Sequence, residues 1–202
     1  CDLARCGAAA EMLEWCRESG IEVEILVNNA GMFFFKELQP EDLPRVEAMM
    51  DLHMRTVTEM CILFGAEMKK RGHGYILNMS SMSAWMAMPG IQTYNATKAF
   101  IYNFSKSLWY ELKPQGVNIT VMTPGAVDTA LFGLAPNLRK LAVALTVSIP
   151  PEKLVKRALR KMFRGKKADM PGVINHLCTP LLKHTPDWLV FLAIRMVGKY
   201  QK

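Results

Sequence analysis

Three short runs of β-branched and apolar residues recur along the chain: EVEILVNNAG (22–31), GYILNMSS (74–81) and VNITVMTPG (117–125). Each ends in a polar or glycine-rich cluster. Short apolar runs of this kind fit strands buried on both faces. Two longer stretches separate them, 39–72 and 92–116, and both read as helices. Pro40 and Pro44 sit near the start of the first, and Gly72 closes it. Pro114 and Gly116 end the second. A helix over 8–19, stopped by Gly20, precedes the first strand. Strands alternating with helices at these separations predict βαβ units and a parallel α/β sheet.

The rhythm changes after Gly125. Residues 126–150 are apolar but interrupted by Gly133 and Pro136, as a segment lying over a site would be. Residues 151–165 predict an amphipathic basic helix, with Leu154, Val155, Leu159 and Phe163 as its apolar positions. A last strand and turn are expected in 167–177, and a final helix over 185–200. The apolar run of that helix, Trp188 to Ile194, is far too short to span a bilayer, so packing is expected of it. No linker or repeat divides the 202 residues, half of which are hydrophobic, so one domain over 1–202 is expected.

Charge is unevenly spread. Residues 1–138 hold 11 Lys+Arg and 15 Asp+Glu, whereas 139–202 hold 14 and 3. The basic helical region, 130–202, could meet an anionic membrane, a nucleic acid or a phosphate. No aromatic-basic motif accompanies it, so a solvated helix face is the preferred reading, with no nucleic acid and membrane contact not favoured. The five cysteines show no paired spacing, which fits reduced thiols in a cytoplasmic setting. The four histidines form no HxxxH or HExxH pattern, and no metal is expected.

In a parallel sheet, ligands gather at the carboxyl ends of the strands. Those ends here are NNAG (28–31), NMSSMS (78–83) and TPGAVDT (123–129). Just beyond the second stands YNATK (94–98), which puts Tyr94 and Lys98 on one helix face. An ammonium beside a phenol favours phenolate, so Tyr94 is expected to titrate below about 10 and to serve as a general acid/base. Ser81 ends the second strand thirteen residues earlier and could hold a carbonyl or alkoxide oxygen. No GxSxG elbow surrounds it, which argues against hydrolysis.

In this order, EILVNNAG (24–31), ILNMSS (76–81), YNATK (94–98) and PGAVDT (124–129) make the chain resemble the short-chain dehydrogenase/reductase family, in its short, non-extended branch. The motifs cover residues 1 to about 130. The resemblance implies an NAD(P)-dependent oxidoreductase acting on a carbonyl/alcohol pair. It makes Tyr94 the acid/base, Ser81 the residue that orients the substrate oxygen, and Lys98 the ribose ligand that lowers the Tyr94 pKa. Asn29, Ala30 and Gly31 would line the adenosine side, and Asp2 would contact adenine. Pro124, Gly125, Val127 and Thr129 would hold the carboxamide and a nearby phosphate. The cofactor would be NADP or NAD, with NADP preferred, and the assembly a homo-oligomer. The apolar 130–150 segment suits a lipid-like, steroid-like or acyl substrate, although ordinary packing explains it equally well. A non-catalytic sensor or scaffold with a dinucleotide fold is the alternative.

Two departures stand out. The family's helical Asn, which supports a water-mediated proton relay to the lysine, falls at His53, which is expected to substitute in that relay. The TGxxxGxG turn that cradles the pyrophosphate has no counterpart. The fold expected is therefore a Rossmann-like, doubly wound parallel sheet lacking its first βαβαβ portion. The first strand here would be an unpaired edge, and this 202-residue chain alone would bind a dinucleotide poorly.

Overall fold

A computed structural model of the protein describes residues 1–128, 148–172 and 185–191, together with Asn175 and Thr179. Four parallel strands form the main sheet in the order β1 (Ile25–Asn28), β2 (Gly74–Met79), β3 (Val117–Met122) and β6 (Ala168–Asp169). Each strand is shorter than its apolar run, because the polar clusters leave the ladder and become the loops at its carboxyl edge. A small parallel pair, β4 (Ala126–Val127) and β5 (Ser148–Ile149), lies beyond β3. Most of the expected 126–150 segment, residues 129–147, lies outside the described residues.

One face of the sheet is covered by α1 (Ala8–Glu18), α3 (Thr56–Arg71) and α4 (Gln92–Leu112). Ala9 and Leu13 of α1, Phe64 and Met68 of α3, and Ile76 and Ile119 of the strands share one buried cluster there. The other face is covered by α5 (Pro151–Phe163), whose Leu154, Ala158 and Met162 pack on Leu77 and Met122. On β1, Leu26 is buried, whereas Ile25 and Val27 are exposed.

The helix expected over 39–72 runs without a gap from Pro40 to Arg71, but its pitch changes on the way. A 3-10 turn (Pro40–Asp42) leads into α2 (Leu43–Met50), one π-helical turn (Asp51–Arg55), and then α3. Lys69, Lys70 and Arg71 occupy the last turn of α3, where cations favour the helix dipole, and Gly72 caps it in the left-handed region. That cap lies against a second turn. Gly116 has φ +80°, and a Cβ there would come within 1.7 Å of the Gly72 carbonyl oxygen. The second long helix stops at Leu112, and a 3-10 turn containing Pro114 carries the chain to Gly116. Residues 187–191 are helical, as expected for the start of the last helix. Trp188, Leu189 and Phe191 are exposed, so the packing expected of the run does not hold for these three side chains. Among the described residues no helix is long and apolar enough to cross a membrane, and no three metal-ligating side chains cluster.

Candidate active site

Parallel register brings the three strand ends level. Asn28 pairs with Asn78, and Met79 with Met122. The chain leaving β2 stays tied to the chain leaving β3: the Ser80 amide donates to the Met122 carbonyl (2.8 Å) and the Met82 amide to that of Pro124 (2.8 Å). Ser81 stands between these two bonds in an extended conformation and caps a 3-10 turn (Met82–Trp85) by accepting from the Ser83 amide (3.1 Å).

Helix α4 is pinned to the end of β2 from both sides. The Ser80 hydroxyl donates to the Lys98 carbonyl (2.6 Å), and Lys98 Nζ donates to the Met79 carbonyl (3.0 Å). Lys98 is 6% exposed, and burial lowers its pKa to about 8. An ammonium has three donors, so the bond to Met79 leaves capacity for a ligand hydroxyl. Tyr94 is 7% exposed, with its ring packed among Phe34, Met49 and Phe33. Phe33 meets it edge-on at 5.0 Å, and the ring of His53 lies 5.9 Å away.

The expected depression of the Tyr94 pKa is not what this geometry produces. Burial raises it, and a hydrogen bond with Ser81 offsets only part of the rise. The reason is desolvation: a phenolate in this apolar cluster loses its water. Lys98 Nζ sits 5.5 Å from the ring centroid and is itself disfavoured as a cation by burial. Ser81 is close enough to act on the phenol, and it draws the Tyr94 pKa downward against that rise.

His53 is fully buried within the π-helical turn. Its Nε2 accepts from the Met32 amide (3.0 Å), and its Nδ1 lies 3.0 Å from Thr97 Oγ1. Burial, and then the charge of Lys98, lower its pKa to about 3. Both ring nitrogens are therefore engaged with protein groups.

The expected cofactor-side residues differ in placement. Asn29, Ala30 and Gly31 are exposed beyond the carboxyl end of β1. Pro124 is buried, and Gly125 and Val127 are partly exposed. A Cβ on Gly125 would come within 2.7 Å of the Asn175 side-chain amide, which would have to move aside. Asp2 is exposed and uses its carboxylate to accept from the Ala4 amide (3.0 Å). Thr129 lies outside the described residues.

Sequence reasoning missed the polar network beneath the site. Asn28 donates to Asn78 Oδ1 (2.8 Å), and Asn78 donates to Ser105 Oγ (2.8 Å) on α4. Cys61 closes the cluster, its thiol pushed by burial up to about 12, so it is inert. An Asn inside each of two apolar strand runs was the available signal. Thr97 was also missed, although it stands three residues after Tyr94, on the same helix face.

Residues 1–137 match the sequence model of the short chain dehydrogenase family. The chain belongs to the short chain dehydrogenase family. It is 31% identical to the human very-long-chain 3-oxoacyl-CoA reductase over 187 residues, covering 90% of this chain and 57% of that protein. It is 36% identical over 114 residues to 17-beta-hydroxysteroid dehydrogenase type 3 of Mus musculus, covering 55% and 37%. A gluconate 5-dehydrogenase from Burkholderia cenocepacia, solved with NADP and tartrate, superposes with a TM-score of 0.59 at 26% identity, over 65% of this chain and 51% of that one. The chain thus spans little more than half the length of its human relative. The Rossmann-like parallel sheet expected from the sequence agrees with these neighbours.

Proposed function

We propose that the protein is an NAD(P)-dependent oxidoreductase that interconverts a carbonyl and an alcohol on an apolar acyl or steroid-like substrate. The observation that carries this reading is the convergence of Ser81, Tyr94 and Lys98 at one strand end, where Lys98 Nζ donates to the Met79 carbonyl and Ser81 acts on the Tyr94 phenol. When bound, the dinucleotide supplies or accepts the hydride. The chain's own groups handle the oxygen and the proton. The Ser81 hydroxyl donates to the substrate oxygen and holds it against the phenol. Tyr94 gives its proton to that oxygen in reduction and recovers it in oxidation. Its raised pKa keeps the proton on the phenol at neutral pH, which suits the acid role.

The residues present suit the ribose and nicotinamide side of a dinucleotide, without the pyrophosphate turn. Lys98 keeps donor capacity for ribose hydroxyls, and the Asn29–Gly31 turn is open at the same edge. Asp2, Pro124, Gly125, Val127 and Thr129 complete the proposed cofactor side, with NADP preferred to NAD. The activities for which the human and mouse relatives are named favour a 3-oxoacyl thioester or a ketosteroid over a sugar acid.

The test is NADPH oxidation by the protein as its gene encodes it, with 3-oxoacyl-CoA esters of rising chain length and with a 17-ketosteroid. Turnover should be found with one of these classes, and Tyr94→Phe should lower it roughly 10²–10⁴-fold, the usual contribution of a general acid. Full turnover by Tyr94→Phe would refute the acid assignment.

A further inference from the structure

We infer that His53 is a positioning residue, a neutral imidazole in one fixed tautomer that clamps the turn after β1 to the first turns of α4 and so holds the phenol of Tyr94 in place. This inference rests on Tyr94 being the acid/base. It differs from a relay role, in which the ring would pass a proton along.

The directions of the hydrogen bonds carry the argument. The Met32 amide can only donate, so Nε2, 3.0 Å away, must present a lone pair. The single ring proton of a neutral imidazole then sits on Nδ1 and is donated to Thr97 Oγ1 at 3.0 Å. The Thr97 hydroxyl passes its own proton onward to the Tyr94 carbonyl at 2.9 Å. The chain runs one way, from Met32 through His53 and Thr97 to the backbone of Tyr94. Moving the ring proton to Nε2 would set two donors face to face. Adding a second proton would do the same inside a fully buried site already near the Lys98 charge.

Three further features fit a clamp. The ring sits in the π-helical turn, which offsets the helix by one residue just where the imidazole must reach both neighbours. Gly31 leaves it room, since a Cβ there would lie 3.1 Å from Nε2. Phe33 follows Met32, the residue the imidazole holds, and its ring packs edge-on against Tyr94 at 5.0 Å. The imidazole thus fixes Tyr94 twice, through its carbonyl and through the aromatic wall beside its ring.

An amide distinguishes clamp from relay, because glutamine can accept and donate as the imidazole does but cannot ionise near neutral pH. Kinetics should be measured on His53→Gln, His53→Leu and Thr97→Val in the complete protein, with melting curves as a check on folding. His53→Leu and Thr97→Val should each lose about 10²-fold in kcat, the scale of a small misplacement, with the dinucleotide KM little changed. His53→Gln should recover most of that loss and keep the wild-type pH profile. A glutamine variant as slow as the leucine one, or a shifted profile, would overturn the inference. Nitrogen-15 NMR of labelled histidine gives a reading independent of activity. His53 should show a protonated Nδ1 and a bare Nε2, unchanged from pH 5 to pH 8. Titration in that range would overturn the inference even if Tyr94→Phe behaves as proposed, and a failed Tyr94 assignment would leave this signature intact.

Discussion

Helices α4 and α5 cover opposite faces of the same central strands, and both carry lysines, yet only one of them buries a charge. On α4, Lys98 is 6% exposed, bonded to the Met79 carbonyl, and shifted to about pH 8 by burial. On α5, five basic residues run along the helix while its apolar side holds the sheet. Two of them, Arg157 and Lys161, meet Asp169 at 3.0 and 2.8 Å. Burial pushes the Asp169 carboxyl up, but those two partners outweigh it and hold it below the usual range. The difference is one of solvation: the basic residues of α5 keep water or a carboxylate partner, whereas Lys98 is held out of water. A charge kept out of water costs stability, and an active site is where that cost has a use.

The comparison breaks first at Lys98. Replacing it by methionine keeps the length of the side chain and removes the cation, the ribose donor and the bond to Met79. Turnover should fall about 10³-fold, within the span expected of acid/base machinery, while neutralising Lys153, Lys156 or Arg160 of α5 leaves it unchanged. Near-wild-type kcat for Lys98→Met would place the two helices on an equal footing.

Beneath the site, the α4 face uses buried polar groups where the α5 face uses hydrocarbon. Asn78 is fully buried and spans from β1 to α4 through Asn28 and Ser105. Asn78→Ala takes one bond from each partner, leaving Asn28 with Cys61 and Ser105 with the Ile101 carbonyl, and opens a cavity, at a cost of roughly 3 kcal/mol. Urea unfolding should show a lower midpoint at constant slope. Loss of less than about 1 kcal/mol would mean that water enters and replaces the amide.

What could be read in the sequence follows the same division. Strand positions, the parallel order and the Ser81–Tyr94–Lys98 convergence were legible because each depends on local pattern and on the rule that strand ends gather. The π turn inside the 39–72 helix was not, because no proline or glycine marks it. It places His53 against two neighbours that are distant in sequence, Met32 and Thr97. The rise of the Tyr94 pKa was missed for a related reason. Spacing placed a cation near a phenol, but only packing tells how much water the phenolate loses.

The smallest expected effect is the one that most directly tests the reading of α5. Lys153, Lys156 and Arg160 share one exposed stripe, part of a groove of about 430 Å³ lined by basic side chains. If the stripe is a solvated face, changing all three to glutamine leaves the apolar contacts of Leu154, Ala158 and Met162 intact and touches neither Arg157 nor Lys161. Melting temperature, kcat and substrate KM should then stay within error of the wild type, and their salt dependence should not change. A rise in KM confined to coenzyme A esters, and largest at low ionic strength, would give the stripe a part in binding the substrate's phosphates, because unscreened charge is what such a contact would use.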